Sequence, residues 1–367
     1  MLQGFWFGTI AVLWAGFLVL EGFDFGVGML LPFVGHTDGE RRVALRSIGP
    51  VWDGNEVWLL VAGGATFAAF PEWYASVFSG FYIAFALLLV GLILRGIGIE
   101  YRGKAESDRG RACCDGAIVV GSLLPALLLG VAFADFMRGV KMDAGHNMIG
   151  GFFDLVTPYG LLGGVVTLTL FLFHGAVFLA LRTEGEVANR AFVIARRTAP
   201  VTAVAAIGFV LWTSQVRGGW LSYLLGGVLL AAFVVSFAAL LRARVGYAFS
   251  ASALVCLLVP VWVFSALWPN VLPDRGNAAL SLTVHNASSS HYTLAVMTVV
   301  ALIFMPIVLA YQAWTYWVFR ARIGLHTVAA GGYEDSVVGK LRQAATSAAT
   351  SSGIDEARPR STTSTST

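Results

Sequence analysis

The stretch Leu20-Glu21-Gly22-Phe23-Asp24-Phe25-Gly26-Val27-Gly28 places two carboxylates inside a run that is otherwise apolar from about Phe5 to Val34. A run of that length reads as a membrane-crossing helix. An acid inside such a helix costs roughly 2.5–3.5 kcal/mol on insertion scales, so its presence calls for a function or a partner. Glu21 and Asp24 are three positions apart and share a helix face. Gly22, Gly26 and Gly28 let a neighbouring helix come close. The first helix is therefore expected to be packed, with an acidic stripe turned towards protein or water. A helix-end carboxylate that snorkels is the plainer alternative, and a second acidic pair on the next span argues against it.

Composition extends this reading to the whole chain. Of 367 residues, 57% are hydrophobic and 12% charged, with a mean hydropathy of +0.76. A soluble domain carries about twice that charged fraction. The chain is expected to be a polytopic, all-α membrane protein. Its net charge of +3 comes largely from membrane-flanking arginines and points to no nucleic-acid partner. Cys113 and Cys114 are adjacent, Cys256 lies in an apolar span, and there is no CxxC. Neither an iron–sulfur cluster nor a disulfide framework is indicated. No basic region precedes the first apolar run, so that run is expected to be a retained span and not a cleaved signal.

Nine spans are expected, at about 5–34, 51–70, 74–99, 115–134, 157–181, 198–216, 220–241, 247–268 and 292–319. Pro71 ends the second, and Trp73-Tyr74 suit the interface where the third begins. One set of connections holds Arg41, Arg42, Arg46, Arg102, Lys104, Arg109, Arg111, Arg182, Arg190, Arg196, Arg197, Arg242 and Arg244, joined by Arg320 and Arg322. The opposite set holds only Arg138, Lys141, Arg217 and Arg275. The positive-inside rule puts the first set in the cytoplasm. The N-terminus is then outside and the C-terminus inside, which needs an odd number of spans. Residues 1–322 form the membrane unit, and 323–367 a cytoplasmic tail. From Ala344 to Thr367 that tail is mostly Ala, Ser and Thr and is expected to be disordered. The outer connection from Pro269 to Tyr292 includes Asn286-Ala287-Ser288, which matches a glycosylation acceptor. Its clustered Asn and Ser are more simply turn residues.

The second span opens with Pro50-Val51-Trp52-Asp53-Gly54-Asn55-Glu56-Val57-Trp58. Asp53 and Glu56 again share a helix face. Asp24 lies about ten residues before the inner end of its helix, hence roughly 15 Å deep at the helical rise. Asp53 is expected near the inner surface, so the two acids would be successive steps inward. Acids in series within a membrane are the material of proton relays. Arg95, near the end of the third span and before Glu100, either pairs with a buried acid or snorkels to the surface. Of the six histidines only His174 lies well inside a span. Two facing axial histidines for haem are therefore missing, and His174 reads as a packing residue. There is no HExxH, Walker loop or GxGxxG after a strand. No metal site is expected in the chain.

Several stretches together are similar to subunit II of the bacterial cytochrome bd-type quinol oxidases. They are Glu21 to Leu30, Val51 to Trp58, Phe78-Ser79-Gly80-Phe81-Tyr82, and Leu94-Arg95 with Tyr101-Arg102. Leu282-Thr283 with Ala287-Ser288-Ser289 and Thr293-Leu294, then Ala313-Trp314 with Tyr316-Trp317, complete the set. The resemblance implies nine helices, as two four-helix bundles plus a peripheral ninth. It implies a heterodimer with a subunit I that carries haem b, haem d and the quinol-oxidising loop, and room for small accessory subunits. The complex would sit in the bacterial cytoplasmic membrane, oxidise menaquinol or ubiquinol, and reduce oxygen to water electrogenically without pumping. Asp24 and Asp53 match the subunit II members of the cytoplasmic proton pathway, with Glu21, Glu56 and Arg95 as support. Some members hold a quinone in subunit II as a structural lipid, and no motif here marks that site. Two other readings fit the residues alone. An ion-coupled secondary transporter would have a broken helix pair in corresponding halves, for which Pro125 and Pro260 are the candidates. A purely structural membrane partner would carry inert acids.

Overall fold

The computed structural model describes residues 1–329. Helix α1, Leu2–Val34, runs through the middle of the molecule and is mostly buried. It packs against α3 (Trp52–Ala69), α6 (Asp108–Arg138), α7 (Pro158–Arg182) and α10 (Val245–Leu267). Helix α5, Tyr82–Arg102, lies along α6. On the other side of α1, α7 packs with α8 (Gly185–Val216), and α10 packs with α9 (Trp220–Leu241). Helix α11, His291–Val318, is peripheral, and Leu294 is its one buried residue.

The glycines of the opening motif set the centre of this packing. A Cβ on Gly26 would fall on the carbonyl oxygen of Phe171 and within 2.7 Å of Gly175 Cα. A Cβ on Gly175 would in turn meet the backbone of Gly26. Backbone therefore touches backbone where α1 crosses α7, the small-residue contact that membrane helices use.

Between the first two expected spans the chain does not form a simple connection. It folds into a separate helix, α2, Asp38–Ile48. Thr37 accepts from the Glu40 backbone N–H, and the Glu40 carboxylate accepts from the backbone N–H groups of Thr37 and His36. This reciprocal cap is readable in Thr37-Asp38-Gly39-Glu40. Arg190 on α8 also pairs with Glu40, at 2.9 Å. Arg190 and the two backbone donors outweigh burial and hold the Glu40 carboxyl at about 2. Burial pushes Asp38 up, but Arg102, Arg42 and Arg111 outweigh it and keep this carboxyl below its ordinary range. Asp38, Arg41, Arg102 and Asp115 thereby link α2 to α5 and α6, with Arg102 Nε 2.5 Å from Asp115 Oδ1.

Among the described residues, eight helices are long and apolar enough to cross a membrane. Helix α3 is not one of them, although a span was expected at 51–70. Asp53, Asn55 and Glu56 crowd its first turns and lower its hydropathy. It nevertheless runs back along α1, with Asn55 beside Asp24 and Ala68-Ala69 accepting hydrogen bonds from Ser289. The third expected span is also divided. Pro71 starts a short helix, α4 (Pro71–Gly80), and α5 follows after a break at Phe81. Helices α6 and α10 pass through Pro125 and Pro260 without interruption.

At the end of the molecule where α1 starts, the 269–292 connection forms a small antiparallel pair, β1 (Asn270–Leu272) with β2 (Leu282–Thr283). Asn286 accepts from the Thr283 N–H and donates to the Ser281 carbonyl. Ser288 accepts from Gln3 at 2.8 Å. The Asn and Ser cluster thus satisfies loop backbone and anchors the start of α1. At the other end, Ile323 pairs with Thr183, and a short helix, α12 (Leu325–Ala329), packs on α2. The Ala344–Thr367 segment expected to be disordered lies outside the described residues.

Candidate functional site

Glu21, Asp24 and Arg95 are each 0% exposed, and they converge where α1, α3 and α5 meet. The Arg95 guanidinium forms an ion pair with Glu21 through Nη1 and with Glu56 through Nη2, the latter at 3.0 Å. Its plane lies over the Phe25 ring, 4.8 Å from the centroid, and near the Trp52 ring at 5.7 Å. Arg95 is therefore a buried partner of the acids and not a snorkelling residue. The fork geometry lets one cation serve carboxylates from two helices.

Asp24 sits one turn from Glu21 and has a different partner. Asn55 Nδ2 donates to Asp24 Oδ2 at 2.7 Å. Asn55 Oδ1 accepts from Gln312 Nε2 at 2.8 Å and from Tyr316 OH at 2.9 Å, both on α11. Asp24 Oδ1 is buried with no hydrogen-bond partner among the described residues. Three carboxyl groups, Glu21, Asp24 and Glu56, thus surround one guanidinium. Such a cluster offers more proton-binding groups than a single cation can neutralise.

Asp53 is not part of this cluster. It lies on the exposed face of α3, beside exposed Gly54 and Val57. Its depth also differs from the sequence expectation. Asn55, two residues further on, reaches Asp24, so Asp53 lies within about two helical turns of the level of Asp24 and not roughly 15 Å away. The reason is α2: residues 38–48 coil beside the C-terminal end of α1, and α3 begins further back along α1. Spacing alone put Glu21 with Asp24 and Asp53 with Glu56, and left Arg95 open between pairing and snorkelling; the structure brings Glu21, Asp24, Glu56 and Arg95 together and leaves Asp53 outside. Spacing missed Asn55, Gln312 and Tyr316. The available signal was a pair of polar residues four apart, Gln312 and Tyr316, in an otherwise apolar span.

His174 is fully buried and stacked on Phe249. Its Nε2 faces the Val19 carbonyl, which only accepts, so Nε2 carries the proton and Nδ1 accepts from the Ser252 hydroxyl. Both ring nitrogens are engaged, which does not fit an axial haem ligand. No group of three His, Cys, Asp or Glu that could hold a metal occurs among the described residues.

A separate cavity of about 340 Å³ lies between α1, α3, α4, α5 and α6, lined by Trp14, Phe67, Phe78, Phe85 and Phe133 among others. Trp73 borders it, and its buried indole N–H has no acceptor among the described residues. The volume and lining suit an apolar molecule with one hydrogen-bond acceptor.

Comparison with known proteins gives a consistent result. The family model described as cytochrome bd terminal oxidase subunit II matches residues 2–319. Cytochrome bd ubiquinol oxidase subunit 2 of Bacillus subtilis is 39% identical over 327 residues, covering 88% of this chain and 97% of that protein. Cytochrome bd-I ubiquinol oxidase subunit 2 of Escherichia coli K12 is 38% identical over 363 residues, covering 88% and 95%. In fold, the chain is similar to the bd oxidase structure from Geobacillus thermodenitrificans, with a TM-score of 0.65 at 17% identity over 87% of this chain and 98% of that one. The family match over nearly the whole membrane part, with relatives matched along almost their full length, places this chain in the cytochrome bd terminal oxidase subunit II family.

Proposed function

We propose that this chain is the non-haem subunit of a quinol:oxygen oxidoreductase, and that its acid cluster carries protons from the cytoplasm towards the site of oxygen reduction. The observation that supports this most directly is the Asp24 carboxyl, buried among Glu21, Asn55 and the Arg95–Glu56 pair. A buried carboxyl with one oxygen held and the other without a partner among the described residues can accept a proton and pass it on. Asp53, on the exposed face of α3, receives protons from the inner side or from the partner's surface. In this reading α3 is the ninth crossing, the N-terminus is outside, and the nine helices form two four-helix bundles with α11 at the periphery. The membrane is the bacterial cytoplasmic membrane, and residues 323–367 are the cytoplasmic tail.

Subunit I, bound as a heterodimer, supplies haem b and haem d and oxidises quinol. The haems provide the electron transfer and oxygen chemistry, and the engaged His174 supports placing them on the partner. This chain stabilises subunit I, and accessory subunits bind elsewhere on the pair. The aromatic cavity holds a quinone or lipid as a structural element, with the Trp73 N–H donating to a carbonyl oxygen. The secondary-transporter reading loses its support, since α6 and α10 are continuous at Pro125 and Pro260.

Asp24→Asn in the intact complex tests the proposal. Quinol-driven oxygen consumption should fall on the order of a hundredfold with haem content retained. Asp24→Glu should recover part of the rate, and Asp53→Asn should slow turnover less, because Asp53 lies on the exposed face of α3 outside the buried cluster. If the acid serves only assembly, Asp24→Asn will lose haem and subunit I on purification. An assembled, fully active Asp24→Asn complex would sink both readings.

A further inference from the structure

Asn55 is the member of the cluster that cannot carry a proton, and it touches the most partners. Its Nδ2 donates to Asp24 Oδ2 and lies 3.4 Å from the Leu20 carbonyl. An amide oxygen has two lone pairs. Both are used here, one by Gln312 Nε2 and one by Tyr316 OH. The donors point in one direction, from α11 to Asn55 and from Asn55 to Asp24. A half-turn of the amide would set its NH₂ against the Gln312 NH₂ and its oxygen against the Asp24 carboxylate. The ionised Asp24 carboxylate only accepts, so it takes the NH₂ end of the amide, and the two contacts on α11 hold the oxygen end in place.

The exposed surface of helix α11 is broad. Side chains of other helices also hold its two ends: Trp6 Nε1 donates to the Leu294 carbonyl at 3.1 Å and to Thr298 Oγ1 at 3.0 Å, and Arg182 Nη2 donates to the Phe319 carbonyl. Gln312 and Tyr316 are four residues apart and so lie on one face of the helix.

We infer that Asn55 is a positioning residue for Asp24, and that α11 holds it in place through Gln312 and Tyr316. With Asp24 Oδ2 held by the amide, the proton binds at Oδ1, the oxygen without a partner among the described residues, and leaves from it. The inference rests on Asp24 being a proton carrier, as proposed above. It adds that the peripheral helix, which contributes no acid to the cluster, controls the carrier's geometry.

The test uses the purified two-subunit complex with quinol as substrate. Asn55→Leu removes both sets of contacts. Tyr316→Phe combined with Gln312→Leu removes the two donors and leaves α1 and α3 unchanged. For the double variant, kcat should fall by at least about fivefold, the equivalent of one net hydrogen bond. KM for quinol and haem content should be unchanged. The infrared C=O stretch of protonated Asp24, assigned by its absence in Asp24→Asn, should move in the double variant. A loss of kcat with an unmoved band, or a moved band with unchanged kcat, overturns the inference. So does loss of haem in the double variant, because α11 would then hold the assembly and not the amide. If Asp24→Asn is inactive while the double variant behaves as the unsubstituted complex, this inference alone fails. If Asp24→Asn is fully active, the proton-carrier reading beneath it fails.

Discussion

Arg95 and Glu21 form an ion pair between α5 and α1 with neither side chain exposed to solvent. The same guanidinium reaches Glu56 on α3, so three helices are tied through one cation. Removing one partner of a buried pair leaves an uncompensated charge, which costs about 3–5 kcal/mol. Arg95→Leu should therefore lower the thermal midpoint of the purified complex sharply or prevent its isolation. Arg95→Lys should be intermediate, because an ammonium cannot reproduce the fork that reaches Glu21 and Glu56 together. Arg95→Leu with Glu21→Leu should recover part of the loss, and a double-mutant cycle on the thermal midpoint would measure the coupling. Additive losses from the two single variants would show that the pair is not coupled.

How much of this site was legible follows from the kind of signal each residue gives. Glu21 and Asp24 stand out because a charge in an apolar run is costly, and their spacing gives the shared face. Arg95 was ambiguous, because a helix-end arginine looks the same whether it snorkels or pairs. Only the approach of α1 and α3 decides between the two. Asn55 gives no such signal: a neutral amide in the first turn of a helix resembles a cap. Its partners Gln312 and Tyr316 are 257 and 261 residues away, beyond any local pattern. The fold shows the same division. Long apolar runs were readable as helices, while the depth at which α3 begins depends on α2, whose packing is tertiary.

The crossing of α1 and α7 predicts a steric result. Gly26→Ala drives a methyl group onto the Phe171 carbonyl and the Gly175 backbone. Neither atom can swing away as a side-chain tip would. The substitution should destabilise the complex by about 1–3 kcal/mol, the range for overpacking. Gly227→Ala on α9 is the control, since nothing lies within 4 Å of its added Cβ. That change should stay within about 0.5 kcal/mol. Equal thermal midpoints for the two variants would mean that α1 and α7 are not in backbone contact.

Glu40 predicts a pH dependence. Its carboxyl is held at about 2 in the folded chain, against an ordinary value of 4.5. A folded-state value below the unfolded one means that the ionised form stabilises the fold. The contribution is fully present above about pH 4.5 and is lost as the pH falls towards 2. Glu40→Gln removes the Arg190 pair and weakens the cap of α2, a change of about 1 kcal/mol for the cap contact. The unsubstituted complex should be more stable than Glu40→Gln at pH 7, by a constant margin down to about pH 5. The margin should narrow at lower pH. A margin that widens on acidification would contradict the assignment.

Topology gives the last prediction, and α3 decides it. Gln3, Ala68, Ala69, Ser288 and Ser289 meet at one end of the molecule. Asp38, Arg41, Arg102 and Asp115 meet at the other. Helices α1 and α5 both end at the second group, so the chain must return between them, and α3 makes that return despite its acids. The arginine-rich connections lie with the second group, which the positive-inside rule assigns to the cytoplasm. With Cys113, Cys114 and Cys256 replaced, a single cysteine at exposed Ala279 should react with an impermeant maleimide added to intact spheroplasts. A single cysteine at exposed His36, between α1 and α2, should react only after lysis. Labelling of both positions from outside would mean that α3 does not cross, and that the acid cluster is not reached from the cytoplasm. Reversed labelling would keep the nine crossings and place the charged layer of Arg41, Arg102 and Asp115 outside, so that protons would enter the cluster from the opposite face.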